Sequence, residues 1–275
     1  MMKYWIVTGI SSGIGKSLCE YLLSKGEYVI GTFRSQKQVD EFNAKTSPNT
    51  KAFLLNLNER SSIDMFTKKI LSEFDRIDVL VNNAGRGYIG AIEETPSEDI
   101  RSIFETNFFG PMQLTANLLP LFRKQKAGNI IQISSHSGFK AFPGFGIYSA
   151  SKFAFEGASE ALAEELGPLG IQVTIIEPGP FRTEFASQAL GEAKMEIVDY
   201  EETSGSFRKR IKQIHGMQEG DPNKAAEIIY TLVNQNQKPL RLALGKIAIR
   251  TIQSKIDKTV SDLIAYQELS ESAVY

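Results

Sequence analysis

Cysteine and histidine are nearly missing from this chain. Its one cysteine, Cys19, excludes an internal disulfide, and with only His136 and His215 beside it no Cys/His metal cluster can be assembled. The expected setting is a reducing compartment with no metal. A charge of one sign is missing as well. The 31 basic and 32 acidic side chains leave a formal net charge of -1, which creates no field for gathering phosphate backbones or anionic lipid. Nucleic acid is therefore a poor candidate partner. No apolar run approaches the length of a bilayer span. The apolar start, Met1 to Thr8, is too short for a signal segment and leads at once into glycines, so a cytoplasmic location is the expectation. Neither a Gly- or Pro-rich linker nor a repeat of fixed period divides the 275 residues, which read as one domain.

What is present suits a large buried core: 42% of the residues are hydrophobic and 23% charged. Short β-branched or apolar runs recur at Tyr4 to Val7, Tyr28 to Thr32, Ala52 to Leu55, Val79 to Val81, Asn129 to Ile133 and Gln172 to Ile176. They read as buried strands. Between them lie segments of helical spacing, such as Ile14, Leu18, Leu22 and Ile63, Phe66, Ile70, Phe74. Strand and helix alternate, which predicts a doubly wound α/β fold with a parallel sheet and right-handed crossovers. The stretch from Arg182 to Gly220 is mixed in charge and shows no strand signal. It reads as a partly helical, mobile insertion near the site, a lid over the substrate.

After the first strand the chain runs Thr8-Gly9-Ile10-Ser11-Ser12-Gly13-Ile14-Gly15. The glycines permit a tight turn and close backbone approach, while the following helix offers unpaired N–H groups to a pyrophosphate. Gly9, Ser11, Ser12, Gly13, Ile14 and Gly15 are thus candidate dinucleotide contacts. At the end of the second strand, Gly31-Thr32-Phe33-Arg34-Ser35 lacks the carboxylate that would pair with ribose hydroxyls. Arg34 instead offers a fork of donors to a 2′-phosphate, which points to NADP, with NADPH preferred over NADH.

Four further segments follow in order: Asn82-Asn83-Ala84-Gly85, Ser134-Ser135, Tyr148-Ser149-Ala150-Ser151-Lys152 and Pro178-Gly179. Together with the glycine loop this series, from about Lys3 to Thr183, resembles the short-chain dehydrogenase/reductase family. The resemblance implies an oxidoreductase that moves a hydride between NADP(H) and a carbonyl or secondary alcohol. It implies Tyr148 as acid/base, Lys152 as its activator, Ser135 as the carbonyl-orienting hydroxyl and Asn107 as a link in a proton relay. Tyr148 and Lys152 would also contact the cofactor. So would Asn83, Ala84 and Gly85 near the adenosine ribose, and Pro178, Gly179 and Thr183 beside the nicotinamide. The third strand departs from the family, ending in Asn56-Leu57 where relatives carry aspartate; Asn56 can still accept from the adenine amino group.

The residue chemistry agrees with these roles. Positions 148 and 152 share a helix face one turn apart, so an ammonium there is expected to lower the phenol's pKa from near 10. Asn107 can equally serve as a buried amide tying backbone groups together. His136 beside Ser135 reads as a loop histidine. A dinucleotide-sensing regulator on the same fold is the alternative function, and an intact Ser135, Tyr148 and Lys152 favours chemistry over sensing. Phe139, Phe142, Phe145, Phe181 and Phe185 suggest the apolar wall of a pocket for a bulky ketone, steroid, retinoid or acyl chain, or else core or subunit-interface packing. The resemblance also implies a homodimer or homotetramer on two long helices, about Pro96 to Arg123 and Tyr148 to Leu166. Their apolar surplus includes Phe104, Phe108, Phe109, Phe153 and Phe155.

Overall fold

Along strand β1 (Tyr4–Val7) Trp5 and Val7 point into one buried cluster and Ile6 into another, the period-two alternation of a strand covered on both faces. The same division recurs in β2 (Tyr28–Phe33), where Val29 and Phe33 oppose Ile30, and in β4 (Val79–Asn82), where Val79 and Val81 oppose Leu80. The structure, a computed structural model, describes residues 1–45, 48–186 and 190–275. Its main sheet has seven parallel strands in the order β3-β2-β1-β4-β6-β7-β9, completed by β3 (Thr50–Leu54), β6 (Gly128–Ile133), β7 (Ile171–Pro178) and β9 (Arg241–Leu244).

Helices α1 (Gly13–Ser24) and α8 (Pro222–Val233) cover one face, placing Leu18, Leu22 and Ile229 against Trp5 and Val7. The other face is covered by α3 (Arg60–Glu73), α5 (Gly110–Gln125) and α6 (Gly146–Leu166) through Ile63, Phe66, Leu114, Leu118 and Leu162. The short α2 (Gln36–Asn43) follows β2, and α9 (Lys246–Ala265) and α10 (Gln267–Glu271) end the chain. Among the described residues no helix is long and apolar enough to cross a membrane.

The doubly wound expectation holds, and the six anticipated strands are all present. The first of the long helices is broken: α4 (Ser97–Phe104) passes into α5 through one π-helical turn, Glu105–Phe109. Phe155, expected among groups awaiting a partner subunit, is instead buried in the core, whereas Phe109 and Phe153 are exposed. The insertion after β7 does contain a strand, β8 (Leu190–Glu192), paired in parallel with β5 (Gly87–Ile89) to form a separate two-stranded sheet. Its helix α7 (Ser206–Gln213) is fixed by the buried Arg208, which reaches Glu94 at 2.8 Å. The expectation of a segment without strands is corrected accordingly, while its partly helical character holds. Residues 187–189 of the insertion lie outside the described residues.

Candidate active site

The order of the strands reverses between β1 and β4, and sheets of this kind bind ligands at the carboxyl ends beside such a switch. The glycine loop, Arg34, Asn56, the Asn83 segment, Ser135 and Pro178-Gly179 lie at that end of their strands, while Tyr148 and Lys152 lie at the start of α6 and Asn107 between α4 and α5. Gly9 takes φ +71° and Gly13 φ +59°, conformations that an L side chain rarely adopts, so the turn into α1 needs both glycines. Thr8 holds the turn against the neighbouring strand: its hydroxyl accepts the amides of Asn83 and Ala84, each at 2.9 Å. Asn83 answers by donating from Nδ2 to the carbonyls of Thr8 at 2.8 Å and Gly9 at 3.1 Å.

The amides of Gly13, Ile14 and Gly15 open α1 and have no intrahelical acceptor, which leaves donors for an anion. Ser11 and Ser12 flank them at the surface. A Cβ placed on Gly13 would stand 3.3 Å from the Cβ of Thr183, so the glycine loop and the segment after Pro178-Gly179 face one another across a narrow gap. Arg34, at the end of β2, is exposed and makes no ion pair among the described residues. Beside it, Asn56 already accepts the amide of Asn58 at 3.1 Å and donates to Glu59 at 2.7 Å, while Leu57 is buried. A bare cradle of amides, a close-packed glycine turn and an unpaired cation one strand away fit a phosphorylated dinucleotide.

Ser135, Tyr148 and Lys152 come together at the end of β6 and the start of α6, all three buried. The Tyr148 hydroxyl faces Ser135, whose Oγ accepts the amide of Ser137 at 3.0 Å. Lys152 turns its Nζ to the carbonyl of Ile133 at 2.9 Å. Burial dominates the proton affinities of both groups. It pushes Tyr148 up to about 12, the Ser135 hydroxyl pulling the other way and the Glu156 charge adding to the rise. It pushes Lys152 down to about 8, with Glu156 opposing. The sequence-based expectation of a phenol lowered by Lys152 is therefore not met, because removing the phenol from water outweighs the other influences.

Asn107 is brought in by the π-helical turn, which aims its side chain inward. Its Oδ1 accepts the amide of Arg86 at 2.9 Å, and its Nδ2 donates to the carbonyl of Arg86 at 2.9 Å and to Ser151 Oγ at 3.0 Å. Ser151 in turn donates to the carbonyl of Tyr148 at 2.7 Å. The sequence reading passed over Ser151, although its place inside the Tyr-to-Lys spacing on a buried helix face was the available signal.

Of the five phenylalanines proposed as a pocket wall, three gather at Tyr148. Phe145 and Phe185 lie 5.2 and 5.6 Å from its ring, and Phe142 joins the same cluster. Phe139 instead carries the Arg241 guanidinium 5.3 Å from its ring, and Phe181 packs on the core across from Gly220. The wall is completed by Ile89 from β5 and by Leu190, Phe207 and Ile211 from the insertion, none of them expected.

The sequence matches the short chain dehydrogenase family over residues 3–193. A short-chain dehydrogenase from Streptomyces avermitilis is 39% identical and superposes with a TM-score of 0.93, covering 99% of this chain and 98% of its own. The 3-ketodihydrosphingosine reductase of Bacteroides thetaiotaomicron is 35% identical over 245 residues, 88% of this chain and 87% of that relative. An NADPH-dependent 3-dehydrocapnine reductase from Ornithobacterium rhinotracheale is 36% identical over 220 residues, 78% of each chain. The strand-end motifs and these likenesses agree, and the chain belongs to the short-chain dehydrogenase/reductase family of NAD(P)-dependent oxidoreductases.

Proposed function

We propose that the protein is an NADPH-preferring reductase of a ketone carried on an apolar substrate, with Tyr148 as the proton donor. The observation that carries this reading is the buried Tyr148 hydroxyl beside the buried Ser135, set against an aromatic and aliphatic wall. The bound dinucleotide supplies the hydride. Tyr148, with its proton affinity raised, stays protonated at neutral pH and is ready to donate to a developing alkoxide, which suits reduction. Ser135 stands beside that hydroxyl and can donate to the same oxygen. Lys152 places a positive charge on the same helix face, held toward β6 by Ile133. Asn107 keeps the Arg86 turn against Ser151 and so steadies the first turn of α6.

Phe142, Phe145, Phe185 and Phe207 supply apolar area suited to an alkyl or aryl group and exclude water from the proton donor. Two relatives whose names denote reduction at a 3-keto or 3-dehydro carbon support the carbonyl class, and one of them is named as NADPH-dependent. In this reading the 182–220 segment forms a substrate lid, since Phe185, Leu190, Phe207 and Ile211 come from it.

The test is turnover of a ketone panel, from acetophenone to 2-decanone, with NADPH and with NADH. Tyr148→Phe should bind NADPH as the parent does and lose at least ~10²-fold in kcat, the usual consequence of losing general acid help. Near-parental turnover by purified Tyr148→Phe would remove Tyr148 from the reaction.

A further inference from the structure

Glu156 follows Lys152 by one turn of α6 and is buried, with 2% of its surface exposed. A carboxylate so placed is costly unless it is paired and hydrogen-bonded, and Glu156 is both. Ser134 donates its hydroxyl to Oε1 at 2.5 Å, and a guanidinium nitrogen of Arg241 meets Oε2. The same guanidinium serves two other carboxylates, Glu177 at 2.5 Å and Glu160 at 2.8 Å. Four side chains thereby tie β7, β9 and α6 to Ser134, the residue that precedes Ser135. Gly138 closes the turn over them, and a Cβ there would collide with the Glu156 carboxylate and stand 2.6 Å from Ser134 Oγ.

We propose that Glu156 is a positioning residue of the active site: anchored by Arg241, it holds the Ser134–Ser135 end of β6 in place and supplies the counter-charge to the buried Lys152 ammonium. This rests on the reading of Ser135, Tyr148 and Lys152 as the groups that carry the chemistry. The charged groups facing Glu156 are Lys152 and Glu160 from α6, Glu177 from β7 and Arg241 from β9. Lys255 of α9 lines the adjoining groove of about 370 Å³. Burial pushes the Glu156 carboxyl up and Glu177 up to about 7, while Arg241 pulls both down and Lys152 pulls Glu156 down. The Glu156 charge in turn acts on Lys152, opposing the effect of burial there. Ser134 gives the same carboxylate its second role, since its hydroxyl is the link between the charge cluster and the catalytic turn.

Glu156→Gln removes the charge and keeps an oxygen for Ser134, whereas Glu156→Asp keeps the charge on a shorter arm. Lysines labelled with ¹³C at Cε are titrated by NMR in the full chain, with the Lys152 resonance assigned by its loss in Lys152→Met. The parent should titrate at about 8. The Gln variant should titrate lower by roughly one pH unit, the ordinary effect of losing an opposite charge nearby. The Asp variant should stay close to the parent, and NADPH affinity should change less than about twofold in both. An unmoved midpoint in Glu156→Gln, or an equal shift in both variants, overturns the charge role.

Should Glu156→Gln fail to fold, Ser134→Ala tests the anchor with the carboxylate in place. It should lower kcat on the best panel ketone about tenfold without weakening NADPH binding, and an unchanged kcat overturns the positioning role. Tyr148→Phe run in parallel separates the role of Glu156 from that of the site it positions. Full turnover there defeats the reading of the site itself, whereas lost turnover with an unmoved Lys152 midpoint defeats only the role given to Glu156.

Discussion

Arg208 and Glu94, 114 residues apart in the chain, meet at 2.8 Å with both side chains almost fully buried. Burial alone would push the Glu94 carboxyl up, but the amides of Ile197 and Ala91 together with Arg208 outweigh it and hold the group below the usual range. Arg208 also meets Glu196 at 2.8 Å and Glu192 at 3.4 Å, so one guanidinium fastens both β8 and α7 to the loop before α4. Removing one partner of a buried pair costs about 3 kcal/mol or more, because the other charge is left without compensation. Arg208→Met should therefore speed amide exchange across residues 190–213 roughly a hundredfold. It should raise the KM of a bulky ketone more than it lowers kcat. Unchanged exchange in that segment would show that the pair does not hold it.

Cofactor choice should follow Arg34. Its guanidinium is exposed and unpaired among the described residues, and the neighbouring Phe33 offers a ribose hydroxyl no carboxylate. A charge-assisted contact to a 2′-phosphate is worth about 1.5–3 kcal/mol, so Arg34→Ala should weaken NADPH binding about tenfold or more and leave NADH binding near the parent value. Isothermal titration with the two dinucleotides measures this directly. Equal losses for both would mean that Arg34 does not meet the 2′-phosphate.

Acid should destabilise the fold through His136. Its ring lies 5.1 Å from Phe142, its Nδ1 is 3.4 Å from Thr251 Oγ1, and burial pushes it down to about 4. With the folded value below the unfolded value of about 6.5, the unfolded chain binds the extra proton first. The stability contributed by the neutral ring is present above about 6.5 and is lost as pH falls toward the folded value. Urea unfolding of the parent between pH 6.5 and 4.5 should fall more steeply than that of His136→Phe, by up to about 1.4 kcal/mol per pH unit. Matching slopes would show that His136 takes up its proton without penalty.

The strands at the centre of the sheet were legible because burial on both faces demands short apolar runs, and Trp5, Ile6 and Val7 state that demand without ambiguity. The last strand of the sheet and the small separate sheet were not. β9 reads Arg241-Leu242-Ala243-Leu244, with an ion-pairing arginine at its start, and β5 and β8 have three residues each, too few to show a period. The π-helical turn at Asn107 hides inside a good helical sequence, because an extra residue in one turn leaves the composition unchanged. Ser135, Tyr148 and Lys152 were found as motif members, and the structure brings them together. Glu156 escaped because a glutamate on a helix usually faces water; only its spacing from Lys152 on an otherwise buried face marked it. Arg241, distant in sequence, could be tied to that site only by the fold.

One backbone bridge has a consequence for how such a chain can vary. Where the insertion begins and ends, Phe181 and Gly220 lie side by side: Arg182 donates its amide to the carbonyl of Gly220 at 2.8 Å, and Gly220 donates to that of Pro180 at 3.0 Å. The intervening residues leave the sheet and return to it through this clasp, and within the loop so closed β8 pairs with β5 and Arg208 reaches Glu94. Strands β7 and β9 and helix α8 thus keep the same endpoints whatever length of chain is strung between the clasped positions. The segment has the geometry of an exchangeable cassette: one splice at Phe181 and another at Gly220 would admit a different wall for a different substrate, with the proton donor and the dinucleotide cradle left where they stand.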